Sequence, residues 1–294
     1  MAASRGSADA PASSREPIAS TAGAGSDGAR AAAFFDLDKT LMQGSSAFQF
    51  GRAAYRAGLL GRRQLVADAL ANLQFRLRGA TDEDSVALRN RIAASLQGTS
   101  VKDLERLGAS VLALILPRIY PQMLAVAHEH QDAGRRAYIV TAAAQELAEI
   151  LAHVLALDGA IGSSISEVRD GVYTGQATGV FVYRTGKALA IEELAAREGM
   201  DLQACYAYSD SESDLPMLRA VGHPVAVNPD GTLARIARQE GWQVLRFDRL
   251  GRRLKTVVGL TAAAAAGGAV SAAIVDRARS HGLRRVALRR LRWP

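Results

Sequence analysis

The sequence predicts an α/β fold: a mostly parallel sheet with helices on both faces, interrupted after its first strand by an all-helical cap. Three observations carry this. Residues 31–36 (Ala-Ala-Ala-Phe-Phe-Asp) form a short apolar run ending in an acid, as a buried parallel strand does when chemistry sits at its C-terminal end. Residues 47–118 show helical periodicity and nothing that reads as a strand. From residue 122 onward, strand and helix patterns alternate, which calls for a parallel sheet covered on both faces. With 294 residues, 49% of them hydrophobic, the chain can bury one large core with an insertion.

The elements follow in order. Residues 1–30 are rich in Ala, Ser and Gly and read as a disordered tail without the apolar run of a secretory signal. Gly23, Gly25 and Gly28 match G-x-G-x-x-G formally, but no strand precedes them to aim a pyrophosphate site. Within the cap, Leu65, Ala69, Leu73 and Leu77 mark a helical stripe, and Thr81 to Asp84 resemble a capping box. Helices are expected at 122–133, 145–157, 187–198, 215–221 and 233–240. Strands are expected at 137–141, 161–163, 205–209, 224–227 and 243–247. Residues 166–172 and 180–183 flank three glycines and read as the arms of a hairpin.

Charge excludes one broad class. Residues 246–255 carry a net +4 and residues 276–294 a net +6, more than the whole chain's +7, so the body is mildly acidic. A nucleic-acid-binding surface is not expected. The single cysteine, Cys205, allows no intramolecular disulfide and suits the cytoplasm.

Four short segments fall at expected strand ends or helix starts. They are Asp36-Leu37-Asp38-Lys39-Thr40, Thr141, Lys187 behind Gly186, and Ser209 to Asp214. In open α/β sheets the strand C-termini line one crevice, so all four would meet there. Their residue types fit phosphoryl transfer. A carboxylate can attack phosphorus, and a second can protonate the leaving alcohol and then activate water. Clustered carboxylates favour a hard divalent cation such as Mg²⁺, while a lysine and a hydroxyl neutralise phosphoryl oxygens.

Each segment alone has a plainer reading: Asp-x-Asp as a turn or helix cap, Thr141 as a cap, Lys187 as a solvated side chain, Ser209 to Asp214 as a capping loop. Together they make the catalytic reading the stronger one. The five histidines lie outside all four segments, and Cys205 reads as a small core residue.

The set Asp36-Leu37-Asp38-Lys39-Thr40-Leu41, Thr141, Lys187 and Asp210 with Asp214 resembles the haloacid dehalogenase superfamily, in its phosphoserine-phosphatase-like branch, subfamily IB. The resemblance covers residues 31–247, with the motifs in the family's order. It implies a Rossmann-like core and a helical cap at about 47–118. It implies a phosphomonoester hydrolase working through an aspartyl phosphate, with Asp36 as nucleophile and Mg²⁺ ligand. Asp38 would be the general acid/base and give its backbone carbonyl to the metal. Thr141 and Lys187 would bind phosphate, Asp210 would bind the metal, and Asp214 would support the metal or Lys187. The acid at Asp38 argues against dehalogenation.

The substrate is less defined. Residues 42–50 contain no acid to hold the amino group of phosphoserine. Arg76, Arg78, Arg89 and Arg91 in the cap are candidate partners for a carboxylate or a second phosphate, or a solvated face. A lipid phosphate of lysophosphatidate or phosphatidylglycerophosphate type is the alternative substrate. A catalytically silent, membrane-associated binding module is the non-enzyme alternative.

Residues 256–275 form 20 uncharged residues, long enough to span a bilayer but rich in Ala and Gly. Arginines flank both sides, and Ala263, Gly267 and Ser271 follow a small-xxx-small spacing. Three readings stand: a transmembrane helix, a helix lying on an anionic membrane surface, or a soluble tail. The expected location is the cytoplasm, with inner-membrane association through this segment.

Overall fold

The computed structural model describes residues 30–58, 82–164 and 166–247. All but the last residue of the expected tail at 1–30, the whole 248–294 segment with its candidate span at 256–275, and the helical stripe at 65–77 lie outside the described residues. Among the described residues, no helix is long and apolar enough to cross a membrane.

Strand β1 (Ala32–Asp36) is buried over its whole length and occupies the middle of a six-stranded sheet. It pairs in parallel with β2 (Arg136–Ala144) on one side and β6 (Tyr206–Ser209) on the other. Beyond β2 lies β3 (Gly159–Ser163). Beyond β6 lie β7 (His223–Val227) and β8 (Gln243–Leu245), all in parallel register. A strand covered on both faces can be apolar throughout, which is why Ala-Ala-Phe-Phe reads as a run rather than an alternation.

The alternation survives in three dimensions. Ala32 and Phe34 enter one core with Ile191 and Leu194 of helix α6 (Thr185–Glu198), Met217 and Leu218 of α7 (Leu215–Ala220), and Leu233 and Ala237 of α8 (Gly231–Gln239). Phe35 points to the opposite face, where it stacks on Tyr208 at 4.5 Å between ring centres. The edge of His130, from α4 (Pro121–Asp132), closes over it. His130 is buried, bonded to the Tyr208 hydroxyl at 2.7 Å and accepting from Arg135 Nε at 2.7 Å. Cys205 is likewise a buried core residue, whose Sγ accepts the Ala32 N–H.

The insertion after β1 contains α1 (Ser46–Arg56), α2 (Asp82–Ser95) and α3 (Val101–Ile115). In α3 the buried residues are Leu107, Val111 and Ile115, one stripe at four-residue steps. The hairpin differs from expectation. Its arms are β4 (Ser166–Arg169) and β5 (Val172–Ala177), and residues 180–183 are no part of it. The turn falls at Asp170-Gly171, both with positive φ, the geometry that a two-residue hairpin turn demands.

This hairpin docks on the insertion. Gly98 and Val101 donate to the carbonyls of Tyr173 and Gly171, and Tyr173 donates to Thr99. The described part of the insertion is therefore joined by a β-hairpin from later in the chain. Helix α5 (Gln145–Val154) ends three residues before its expected limit.

Gly186 opens α6. A Cβ there would stand 2.1 Å from the Phe181 carbonyl oxygen, so the backbone itself would have to move. Gly186→Ala is expected to lower stability by about 2 kcal/mol, read as a shift of the urea midpoint at constant m.

Candidate active site

Parallel register brings the four sequence segments to one edge of the sheet. Asp36 ends β1 opposite Val140, so Thr141 is the next residue along β2. On the other side Phe35 is level with Tyr208, which places Ser209 level with Asp36 and Asp210 one residue beyond. Lys187 enters from the first turn of α6.

Lys187 is 3% exposed, and its ammonium lies between two carboxylates, 2.5 Å from Asp36 Oδ1 and 2.7 Å from Asp214 Oδ2. Burial alone would lower the Lys187 pKa, but Asp214 and Asp36 reverse this and raise it above the ordinary lysine value. Lys187 is thus a fixed cation. Burial pushes the Asp36 carboxyl up; Lys187 opposes this, while Asp214, Asp210 and Asp38 add to it. Asp214 Oδ2 also accepts from Ser209 Oγ at 2.7 Å, so this oxygen is committed to holding Lys187 and the loop.

Asp38 is half-buried, and its Oδ1 accepts the backbone N–H of Ser46 at 2.7 Å. Its carboxylate is thereby anchored at the first turn of α1. Thr141 is buried, and its Oγ1 accepts the Ala143 N–H at 3.2 Å. A hydroxyl that accepts one bond keeps a proton to donate.

Asp210 is buried and pairs with Lys39 Nζ at 3.3 Å. Lys39 reaches it from a left-handed backbone, φ 62°, a conformation that costs a lysine about 1–2 kcal/mol. The Asp210 carbonyl accepts the Asp230 N–H, which fixes the loop after β6.

Two further residues belong to this arrangement without having been singled out for a role. Lys39 sits inside the first motif, but its pairing with Asp210 depends on the tertiary fold. Ser209 has no local signature apart from its place at a strand end. Of the cap arginines, Arg89 donates to the Gly179 carbonyl at 3.4 Å and Arg91 is exposed. Arg76 and Arg78 lie outside the described residues.

Among the described residues, no three His, Cys, Asp or Glu side chains are arranged as a metal cluster. Lys187 stands between Asp36 and Asp214, and Lys39 pairs with Asp210. The donor chemistry still fits a hard cation. The crevice offers carboxylate oxygens, with no thiol or imidazole from the predicted set.

Burial raises the Asp210 pKa to about 6, against the pull of Lys39. A carboxyl raised on folding contributes stability below its unfolded pKa and loses it as pH rises through about 6. In EDTA, Asp210→Asn is expected to raise Tm by roughly 5 °C at pH 7.5, and by little at pH 4. Thermal scans at both pH values check this; an equal effect at both would refute it.

Comparison with known proteins identifies the family. The family model described as haloacid dehalogenase-like hydrolase matches residues 33–219. The chain is 40% identical over 246 residues to the phosphoserine phosphatase SerB1 of Mycobacterium tuberculosis, covering 82% of this chain and 79% of that protein. It is 31% identical over 219 residues to a histidinol-phosphatase of Neisseria meningitidis, covering 73% of this chain and 98% of that one. Among solved structures, a protein of unknown function from Bordetella pertussis Tohama I is similar with a TM-score of 0.65 and 29% identity. That match covers 74% of this chain and 98% of the other. A six-stranded parallel sheet with its strand-end carboxylates, a family match over most of the described core and phosphatase-named relatives converge: the chain belongs to the haloacid dehalogenase-like hydrolases and is a phosphomonoester hydrolase of that family.

Proposed function

We propose that this protein hydrolyses phosphomonoesters in two steps through an aspartyl phosphate on Asp36, with Mg²⁺ as cofactor. The observation that carries the reading is the contact of Lys187 Nζ with Asp36 Oδ1 at the C-terminal end of the central strand. On this reading Asp36 as nucleophile and Lys187 as phosphate-neutralising cation act on the same phosphoryl group.

In the first step Asp36 Oδ2 attacks phosphorus from the side opposite the ester oxygen. The P–O ester bond breaks, and Asp38 gives its proton to the departing alkoxide. In the second, the Asp38 carboxylate takes a proton from water, the resulting hydroxide attacks phosphorus, and the acyl bond to Asp36 breaks to release phosphate. Lys187 and Thr141 hold the phosphoryl oxygens throughout. The Ser46 N–H keeps Asp38 aimed without removing its second oxygen from use. Asp36 and Asp210, with the Asp38 carbonyl, would hold Mg²⁺, and Asp214 would position Lys187. When bound, the cation offsets charge on the transferring group and relieves repulsion among the carboxylates.

The catalytic unit is residues 31–247, with a cap made of the 47–118 insertion and the hairpin at 166–177. The relatives' names support small phosphate esters, and they differ on which: one names phosphoserine and another histidinol phosphate.

The test is hydrolysis of p-nitrophenyl phosphate by the purified full chain. Turnover is expected with Mg²⁺, is lost in excess EDTA, and returns on adding Mg²⁺. Full activity in EDTA would overturn the metal assignment. A panel of phosphoserine, histidinol phosphate and lysophosphatidate then ranks the substrates by kcat/KM.

A further inference from the structure

Helix α1 meets the site end-on. Its first residue, Ser46, is buried and donates its N–H to Asp38 Oδ1. The buried residues of this helix are Ser46, Gln49, Ala53 and Ala54, which share one face. Side chains on a helix lean back over the preceding turn, toward the helix N-terminus. The amide of Gln49 is therefore carried back toward Ser46, at the end of α1 that touches Asp38.

Gln49 is 3% exposed, as enclosed as Lys187 at 3% and Asp36 at 7%. Yet Gln49 Oε1 has no hydrogen-bond partner. A buried acceptor left without a donor costs about 1–3 kcal/mol, which an apolar side chain of similar shape would avoid. Thr40 Oγ1, four residues past Asp36, is buried and unpartnered as well. Two orphaned polar atoms therefore follow Asp38 in sequence, one two residues on and the other in the first turn of α1. The helix has no acidic residue in that turn, and its N-cap Ser45 makes no side-chain bond to it.

We propose that Gln49 is a specificity residue for the leaving group, its Oε1 accepting a hydrogen bond from a hydroxyl of the bound phosphomonoester. The favoured substrates are then phosphates of alcohols that carry a further hydroxyl near the ester. This rests on the Asp36–Lys187 crevice being the phosphatase site. Charge selects the hydroxyl over an ammonium. An uncharged carbonyl satisfies an O–H donor completely but repays little of the cost of stripping water from a cation. Residues 42–50 supply no carboxylate to make up the difference.

The experiment uses the full-length protein with Mg²⁺ and three substrates: propyl phosphate, glycerol 3-phosphate and phosphoserine. Wild type, Gln49→Met and Gln49→Glu are compared, with Tm measured for each. For wild type, kcat/KM is expected to favour glycerol 3-phosphate over propyl phosphate by about tenfold, the worth of one well-placed hydrogen bond. In Gln49→Met that ratio should fall toward one with Tm unchanged or higher, since an orphaned acceptor has been removed. In Gln49→Glu the preference should move toward phosphoserine.

A wild-type ratio near one would overturn the proposal. So would an unchanged ratio in Gln49→Met with a lowered Tm, which marks a structural glutamine. Hydrolysis of p-nitrophenyl phosphate without any hydrolysis of glycerol 3-phosphate overturns it too. No hydrolysis of p-nitrophenyl phosphate by wild type sinks instead the phosphatase site on which the proposal rests.

Discussion

Asp36→Asn is expected to reduce turnover by a factor on the order of 10⁴ or more, because the amide lacks the attacking oxygen of the covalent route. The fold should survive. Asparagine occupies the same volume at the end of β1, and Lys187 keeps Asp214 as its counter-ion at 2.7 Å. The measurement is steady-state hydrolysis of an aryl phosphate beside a thermal scan. A variant with native Tm and wild-type kcat would remove Asp36 from the mechanism. With labelled substrate, acid quenching should trap phosphate on wild-type protein and none on the variant. That second readout separates a lost nucleophile from a merely weakened site.

Lys187→Met carries the second largest effect, and it acts on stability and activity together. The ammonium is the shared counter-ion of Asp36 and Asp214, and all three side chains are buried. Removing one partner of a buried ion pair leaves uncompensated charge and costs about 3–5 kcal/mol. The metal-free variant is expected to lose that much by urea unfolding. Added Mg²⁺ should recover part of it by binding the carboxylates left without a counter-ion, with the gain set by the ratio of metal concentration to its Kd. Turnover should fall about 10³-fold even in saturating Mg²⁺, since the cation that meets the phosphoryl oxygens is gone. Lys187→Arg tests geometry separately, because the planar guanidinium retains charge without fitting between the two carboxylates. A Lys187→Met protein of native stability would show that the ion pair is not the organising contact of the site.

Most of the sheet was legible because its strands are buried on both faces and so appear as apolar runs between helical stripes. The site was legible for a related reason: Asp36, Thr141, Ser209 and Asp210 each stand at the end of such a run. The hairpin was misread because the more apolar stretch, residues 180–183, is apolar for another purpose. Val182 enters the main core, and its N–H is held by Ser163 Oγ. The true second arm, Val172–Ala177, shows no continuous apolar run; only Tyr173 is buried, and the arm joins the insertion through backbone hydrogen bonds. Lys39 and Gln49 escaped notice for a different reason. Lys39 meets Asp210 across the fold and Gln49 is buried on one face of α1, and neither placement has a local signature.

The place of β1 in the sheet has a consequence for synthesis. The strand made first is the one that ends up in the middle. Its partners are residues 136–140 on one side and 206–208 on the other. At about 5–20 residues per second, roughly ten seconds or more pass before the second partner leaves the ribosome. During that time the segment Ala-Ala-Phe-Phe waits with at least one edge open and both faces greasy. Pairings so distant along the chain are slow to close even once all the pieces exist. The emerging chain is therefore a natural client for a chaperone that shields short apolar strands. Substitutions that raise the β-propensity of residues 32–35 should lower the soluble yield in cells more than they change the stability of the finished protein.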